Sequence, residues 1–470
     1  MGFYRFDSPY DWNRVAPYKK IAAQADGGMI DLSVGSPVDP VPASVQRALA
    51  DGADAPNAHG YPTVVGTDAL REAVQEWFRA NRSVDFGAID ADFVPTVGSK
   101  EAVALMASLL HFGPGDVIVQ PAVSYPTYDI GTQLAGAKTY KAADIADVDS
   151  WRSIPGVKAV WVNSPCNPTG EVLSAEELHG IVAAAREIGA VVLSDECYGL
   201  LTWAGGTGGG DCLPKSRKSI GRADDQTDAS QEDLCAVSSD SSQAVSQEQT
   251  ADPAVCAEST GLQTACAGKR RIPGVAGTVH KSADTQTSSG ASRLVGTMTA
   301  DEPSPAPCML QPDVCDGSAE GILVLYSLSK QSNMAGYRTA LIAGDPELVR
   351  PMVVYRKQIG EIIPGPVQAA MAVALHDTDA VRTQHVRYCQ RLHQLVDGLR
   401  AAGYDAHMPQ GALYVWVRAK SGDCWQDMDA LAHLGIVASP GEFYGDPTHL
   451  RLSATASDVT IAETVARLSR

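Results

Sequence analysis

The chain has 470 residues, of which 44% are hydrophobic and 20% are charged, and this composition excludes a wholly disordered or fibrous protein. Its formal net charge of −18 has the wrong sign for a protein that covers phosphate backbones, so we expect no nucleic acid partner. Because no run of about 20 apolar residues is present, we also expect no membrane partner and a cytoplasmic location. The cysteines include no CxxC pair, and we predict no metal site.

The sequence predicts an N-terminal arm followed by a large α/β domain. Residues 1–40 are too few to fold alone, and we expect them to pack on a smaller domain at the C-terminus. From residue 41 onward, short apolar runs alternate with amphipathic helical stretches, which is typical of a mostly parallel sheet covered by helices. The strongest of these runs lie at residues 117–120, 157–163, 190–194 and 322–326.

One predicted helix is marked at both of its ends. Ser174 followed by Glu177 forms a capping box, and Gly189 supplies a left-handed stop. The strand after this helix ends at Ser194. It delivers Asp195 to the carboxyl edge of the sheet, where open α/β sheets bind their ligands.

A compositional break divides the large domain into two parts, residues 41–204 and 304–345. Between Trp203 and Tyr326 the sequence has no Phe, Trp or Tyr, and residues 205–303 are rich in Ser, Thr, Gln, Asp, Ala and Gly without sustained periodicity. This composition is typical of a disordered, low-complexity insert. Because the entropy of closing a loop grows only with the logarithm of its length, we expect the insert to leave the sheet intact.

The last part of the chain changes character after Asp345. Long helices are predicted over residues 346–360 and from 366 to about 398, and a strand is predicted over 413–417. We therefore expect residues 346–470 to form the smaller C-terminal domain.

Four short motifs place chemically useful side chains at predicted strand ends. Gly98-Ser99-Lys100 opens a predicted helix, whose first backbone N–H groups could hold a phosphate; the alternative is a simple turn with a helix cap. Asn167-Pro168-Thr169-Gly170 is a turn by composition. Asp195-Glu196-Cys197-Tyr198 places an acid and a phenol at a strand end; the alternative is a solvated loop. Ser327-Leu328-Ser329-Lys330 places a lysine directly after a buried strand, ahead of Arg338. Together they predict a site for a phosphate-bearing aromatic aldehyde that a lysine captures.

With Tyr125, Asn167 and Arg451, these motifs resemble in order and spacing the class I/II aminotransferases, pyridoxal-phosphate enzymes of fold type I. The resemblance covers the chain outside the insert. It implies a large domain with a mostly parallel seven-stranded sheet and a smaller α/β C-terminal domain. It also implies pyridoxal 5'-phosphate as cofactor, amino-acid and keto-acid substrates, and a homodimer.

The resemblance also implies a role for each matching residue. Lys330, Asp195 and Tyr198 are the implied catalytic residues: Lys330 binds the cofactor covalently and then moves the substrate proton, and Asp195 pairs with the ring nitrogen. A lysine that opens a helix after Gly-Ser is better placed for capping, so we choose Lys330 over Lys100 for the covalent role. The other residues implied to bind the cofactor are Gly98, Ser99, Lys100, Tyr125, Asn167, Tyr198, Ser327, Ser329 and Arg338, joined by Tyr61 from the neighbouring subunit. Those implied to bind the substrate are Gly35, Asn167 and Arg451, of which Arg451 makes a bidentate contact with the α-carboxylate.

A narrower resemblance concerns residues 31–42, the preceding residues 16–18 and the run over 327–338. These segments are similar to actinobacterial N-succinyldiaminopimelate aminotransferases of lysine biosynthesis. That resemblance implies L-glutamate as donor and N-succinyl-2-amino-6-oxopimelate as acceptor. The distal carboxylates of this acceptor require a second cationic site, for which three residues near the N-terminal arm are available: Arg14, Lys19 and Lys20.

Other interpretations stay open at this point. The enzyme could aminate the keto acid of another amino acid. The same cofactor-binding residues could instead support a C–S β-lyase or a decarboxylase. A third possibility is a regulator that binds the cofactor as a ligand sensor. Such a regulator needs a DNA-binding module, and the sequence contains no basic helix-turn-helix pattern.

Overall fold

A seven-stranded sheet lies at the centre of the fold in the computed structural model, which describes residues 5–203 and 304–470. The predicted insert over residues 205–303 lies outside the described residues. The described strands, in chain order, are β1 (Ile30–Asp31), β2 (Asp92–Val97), β3 (Val117–Pro121), β4 (Lys138–Ala142), β5 (Val157–Asn163), β6 (Val191–Asp195), β7 (Ile322–Ser327), β8 (Thr339–Gly344), β9 (Tyr414–Arg418), β10 (Ile436–Val437), β11 (Ser439–Pro440) and β12 (His449–Ser453).

The central sheet has the strand order β2-β8-β7-β6-β5-β3-β4. Strand β8 is antiparallel to both of its neighbours, and the other pairings are parallel. The strands β5, β6 and β7 are almost entirely buried, as expected for parallel strands covered by helices on both faces. The structure therefore confirms the predicted α/β fold with a mostly parallel seven-stranded sheet.

Helices cover both faces of this sheet. Along β5, Val160 and Val162 belong to one hydrophobic cluster, whereas Ala159 and Trp161 belong to another, because successive side chains of a strand point to opposite faces. The described α-helices, in chain order, are α1 (Ala16–Ala22), α2 (Ala43–Ala53), α3 (Asp68–Arg82), α4 (Ser99–Leu109), α5 (Thr127–Ala135), α6 (Ala175–Glu187), α7 (Leu328–Gln331), α8 (Pro346–Ile359), α9 (Gly365–His376), α10 (Thr378–Ala401), α11 (Cys424–His433) and α12 (Asp458–Leu468).

A third hydrophobic cluster joins the two ends of the described chain. It contains residues of β9 and β12, which pair in the antiparallel sheet β11-β12-β9, and of the helices α10, α11 and α12. The N-terminal segment contacts this part of the fold: β1 pairs in parallel with β10, and the Tyr18 ring stacks on Trp425 with ring centroids 5.7 Å apart. The predicted boundaries between arm, large domain and small domain stay a prediction.

The helix ends follow the local sequence with one exception. The capping box of Ser174 and Glu177 is present, and Gly189 has a φ of 66°. The single helix predicted from residue 366 to about 398 is wrong, because α9 ends at His376 and α10 begins at Thr378. The carboxylate of Asp377 between them accepts a hydrogen bond from the Ala380 N–H at 3.1 Å, so it caps a new helix.

The described residues on either side of the gap lie side by side. The Thr202 hydroxyl donates to the Ser304 carbonyl oxygen at 2.7 Å, and the Ala306 N–H donates to the Gly199 carbonyl oxygen at 2.9 Å. The indole N–H of Trp203 donates to the Ala412 carbonyl oxygen at 2.8 Å. Both flanks are therefore fixed by their own contacts.

We expect deletion of residues 207–303 to leave the fold intact, because the remaining link of residues 204–206 has only a short distance to span. Thermal unfolding followed by circular dichroism checks this expectation on the full chain and on the deletion variant. The variant should unfold cooperatively with a helix content close to that of the full chain. An insoluble variant, or one without a cooperative transition, would contradict the expectation.

Candidate active site

A cavity of about 290 Å³ opens at the ends of β5, β6 and β7. Its position is the carboxyl edge of the parallel strands, as predicted from the sequence. It brings together most of the predicted site residues: Gly35, Ser99, Lys100, Tyr125, Asn167, Asp195, Tyr198, Ser327, Ser329, Lys330, Arg338 and Arg451. Gly98 and Tyr61 are the predicted residues that do not line it.

The buried carboxylate of Asp195 lies at the end of β6. It accepts a hydrogen bond from the Tyr128 hydroxyl at 2.8 Å and another from the Cys197 N–H at 3.2 Å. Burial raises the pKa of Asp195 above its ordinary value. Among residues 5–203 and 304–470, no cationic side chain forms an ion pair with this carboxylate. A buried carboxylate without a cation fits a protonated ring nitrogen, which would supply the missing charge.

The amine of Lys330 projects from α7, the short helix that follows β7. Its Nζ donates a hydrogen bond to the Gly35 carbonyl oxygen. Burial lowers the pKa of Lys330 below the ordinary value of 10.5, and the positive charges of Arg451 and Arg338 act in the same direction. A lysine that is more easily neutral is suited to attack an aldehyde and to accept a proton.

Hydroxyl groups and a guanidinium form the end of the cavity that could hold a phosphate. Ser99 begins α4, and the Ser327 hydroxyl donates to the Ser329 hydroxyl at 2.9 Å. Arg338 forms no ion pair with any carboxylate in the described part of the chain. Gly98 has a φ of 77°, and a Cβ there would collide with the Arg338 guanidinium. Gly98 therefore makes room for Arg338, and the helix start with an unpaired cation fits a phosphate.

The guanidinium of Arg451 is buried in another part of the cavity wall. Its Nη1 donates to the Asn167 side-chain oxygen at 2.8 Å, and its Nη2 donates to the Ser33 carbonyl oxygen at 2.7 Å. The guanidinium lies 4.1 Å from the ring centroid of Tyr414 and 4.7 Å from that of Tyr444. Its Nε has no hydrogen-bond partner, and no described carboxylate pairs with it. The arrangement fits the carboxylate of a ligand.

The sequence analysis missed three tyrosines that line the cavity, Tyr10, Tyr414 and Tyr444, and a fourth beside it, Tyr128. Tyr128 lies in the first turn of α5, three residues after Tyr125, and hydrogen-bonds Asp195, so this spacing could have indicated it. Tyr414 lines the cavity and its hydroxyl lies 2.8 Å from the Tyr198 hydroxyl. The sequence indicated only that Tyr414 belongs to the predicted strand over 413–417, in which alternate side chains share one face.

The predicted residues that stay outside the cavity have their own surroundings. Tyr61 is 100% exposed, so its predicted contact with a neighbouring subunit stays a prediction. Arg14 pairs with Glu442 at 2.9 Å, and Lys19 pairs with Asp31 at 2.7 Å. Neither these two residues nor Lys20 lines the cavity, and a second cationic site among the three stays a prediction. Lys100, whose side chain is exposed, does line it.

The chain is similar to known proteins in sequence and in fold. Residues 27–216 and 295–468 match the family model for aminotransferase class I and II. Over 463 residues the chain is 33% identical to 4-dedimethylamino-4-oxo-anhydrotetracycline transaminase OxyQ of Streptomyces rimosus, covering 98% of each chain. It is 32% identical over 463 residues to the probable aminotransferase Rv1178 of Mycobacterium tuberculosis, covering 98% of this chain and 85% of the other. The solved structure of aspartate aminotransferase from Thermus thermophilus with maleate matches with a TM-score of 0.69 at 21% identity, covering 100% of this chain and 99% of that one.

The lowered pKa of Lys330 predicts a pH-dependent effect on stability. The pKa of Lys330 in the folded protein lies below the ordinary value of 10.5, which applies to the unfolded chain. At pH values below the folded pKa, the buried positive charge therefore lowers the free energy of unfolding. This loss of stability disappears as the pH rises from the folded pKa toward 10.5. Lys330→Met should therefore raise the free energy of unfolding of the cofactor-free protein near pH 7, and this gain should shrink at higher pH.

Urea unfolding of the cofactor-free variants at several pH values measures this gain. Lys100→Met is the matched control, because it removes an exposed lysine from the rim of the same cavity. A Lys330→Met variant that is less stable than the parent near pH 7, or whose gain grows with pH, would refute the account of the buried amine.

Proposed function

The chain belongs to the class I and II aminotransferases, and from this premise we propose that it moves an amino group from L-glutamate to a keto acid. The family depends on pyridoxal phosphate. The observation that carries the proposal is that one cavity contains a lysine with a lowered pKa, a buried carboxylate and a buried guanidinium, each without an ion-pair partner in the described residues. These three groups match the aldehyde, the ring nitrogen and the substrate carboxylate that the reaction must hold.

Bound pyridoxal phosphate supplies an aldehyde that captures amines and a ring that withdraws electrons from the neighbouring carbon. Asp195 would hold the proton on the ring nitrogen, because a buried carboxylate favours a cation beside it. Tyr198 and Asn167 would hold the phenolic oxygen of the ring, and Tyr125 would pack against its face. Lys330 would bind the aldehyde and, once released, take up the proton from the substrate carbon.

Arg451 and Gly35 would orient the substrate in another part of the cavity. The two Nη groups of Arg451 are suited to a bidentate contact with an α-carboxylate, for which they would share or release their present acceptors. Because Gly35 has no side chain, its backbone could approach the same α-carboxylate. Tyr10 and Trp12 line the cavity from the N-terminal segment and pack edge-on against Phe443, which would limit the access of water.

Two acceptors are proposed for this site. N-succinyl-2-amino-6-oxopimelate rests on the resemblance of residues 31–42, with Lys100 as the cation for its distal carboxylates. An acceptor with a flat aromatic body is favoured by the cavity wall, which contains the rings of Tyr10, Trp12 and Tyr444. The relative OxyQ is a transaminase of an anhydrotetracycline, which supports this second acceptor class.

A homodimer is proposed on the basis of the family and of apolar side chains that the single chain leaves exposed. Tyr61, Val38 and Val34 are exposed hydrophobic side chains, with exposed fractions of 100%, 58% and 47%. Such side chains are suited to burial by a second copy of the chain. The cytoplasmic location stays a prediction.

Absorption spectra of the purified protein with pyridoxal phosphate test the reaction. The lysine-bound cofactor should give its visible band in the parent and not in Lys330→Ala, and L-glutamate should convert that band to the pyridoxamine form with release of 2-oxoglutarate. A band that glutamate leaves unchanged would refute the donor. Ammonia released without an aminated acceptor would indicate a lyase instead.

Acceptor assays with two variants separate the proposed substrates. If the succinylated acceptor is correct, Lys100→Ala should lower kcat/KM for it about tenfold or more, because a charge-assisted contact is lost, and Trp12→Ala should have a small effect. If the aromatic class is correct, Trp12→Ala should lower kcat/KM for indolepyruvate and phenylpyruvate by about threefold to tenfold, and Lys100→Ala should not. Use of neither acceptor class would refute both proposals.

A further inference from the structure

Tyr414 faces the cavity from β9 and has no part in the reaction proposed above. Its side chain is 2% exposed, and it borders the cavity together with Tyr198, Gly35 and Arg451. The hydroxyl and the ring make different contacts, so each part of the side chain can be considered separately.

The hydroxyl of Tyr414 lies between two elements of the site. Its oxygen is 2.8 Å from the hydroxyl oxygen of Tyr198. A Cβ at Gly35 would collide with the same hydroxyl, so the Gly35 backbone is packed directly against it. Gly35 in turn accepts the hydrogen bond from Lys330. The hydroxyl therefore contacts both Tyr198 and the segment that holds the lysine.

The ring of Tyr414 supports the guanidinium of Arg451. The guanidinium carbon lies 4.1 Å from the ring centroid, within the range of a cation–π contact. Arg451 is buried, its Nε has no hydrogen-bond partner, and no carboxylate of the described chain pairs with it. The ring therefore provides part of the environment that keeps an unpaired cation in place.

We propose that Tyr414 is a positioning residue, whose hydroxyl donates to the Tyr198 oxygen and whose ring orients Arg451, an inference that rests on the function proposed above. A phenol whose oxygen accepts a hydrogen bond becomes a better donor, so Tyr198 is directed toward the phenolic oxygen of the cofactor. One side chain thereby fixes both the contact to the cofactor ring and the contact to the substrate carboxylate.

The direction of this hydrogen bond follows from the role proposed for Tyr198. Because Tyr198 would donate its hydroxyl proton to the phenolic oxygen of the cofactor, its own oxygen is left to accept a hydrogen bond from the Tyr414 hydroxyl, which lies 2.8 Å away.

A double-mutant cycle tests the hydroxyl. Titration of the cofactor-free protein with pyridoxal phosphate gives a Kd for the parent, Tyr414→Phe, Tyr198→Phe and the double variant. Each single change should weaken binding about 2- to 10-fold, and the double variant should bind no more weakly than Tyr198→Phe alone. An unchanged Kd in Tyr414→Phe, or additive effects in the double variant, would overturn the role of the hydroxyl.

Binding of maleate, an unreactive dicarboxylate, tests the ring. Tyr414→Phe keeps the ring and should bind maleate within about twofold of the parent. Tyr414→Leu removes the ring and should weaken maleate binding about 2- to 30-fold, the range that corresponds to a cation–π contact. Tyr414→Met serves the same purpose if the leucine variant does not fold. Equal maleate affinity in the parent and in the variant without a ring would overturn this part.

Tyr404→Phe is the matched control, because Tyr404 is a buried tyrosine of the same hydrophobic cluster that does not line the cavity. It should leave both Kd values unchanged, so a general loss of packing would be recognised. Neither binding measurement requires turnover. A protein that fails to convert glutamate would therefore refute the proposed function, while the two Kd series would still decide the role of Tyr414.

Discussion

The candidate site depends on charged groups that the protein encloses without giving them partners of opposite charge. Asp195 is a buried carboxylate whose contacts are a phenol and a backbone N–H, and Arg451 is a buried guanidinium whose contacts are an amide oxygen, a carbonyl oxygen and two aromatic rings. Unpaired charges in such surroundings are unfavourable until a ligand of opposite charge arrives. The cavity is therefore arranged for a ligand that presents a cation to Asp195 and an anion to Arg451.

Elsewhere in the described residues the fold pairs the guanidinium groups that it buries. Arg82 and Glu196 form a fully buried ion pair at 2.5 Å, and the Met309 N–H donates to Glu196 at 2.8 Å. Glu196 is the residue after Asp195, so this pair fixes the strand end that presents the Asp195 carboxylate, and the Met309 contact ties it to the chain beyond the gap. Arg356 likewise makes two contacts of 2.9 Å with Glu101, in the first turn of the helix that Ser99 begins. Among the described residues, the buried arginines outside the cavity pair with carboxylates, and Arg451 inside it does not.

The sequence was sufficient for the sheet and for most of the site, because both depend on local patterns. Apolar runs marked the buried strands, and the strand ends placed Asp195 and Lys330 at one edge. Features that depend on distant partners were not predictable in this way. The break at Asp377 is set by one capping contact inside a continuous amphipathic pattern, and Tyr414 becomes a site residue only because β9 lies beside Tyr198. Arg14 and Lys19, which the sequence offered for a second cationic site, each pair with a carboxylate outside the cavity.

Lys330 is the residue through which the cavity would hold the cofactor. Borohydride reduction of the protein loaded with pyridoxal phosphate, followed by peptide mass spectrometry, locates the lysine that carries the cofactor. The modified peptide should contain Lys330, and Asp195→Ala should weaken loading without moving the attachment point. Attachment to Lys100, the other lysine that lines the cavity, or the absence of any modified lysine, would contradict it.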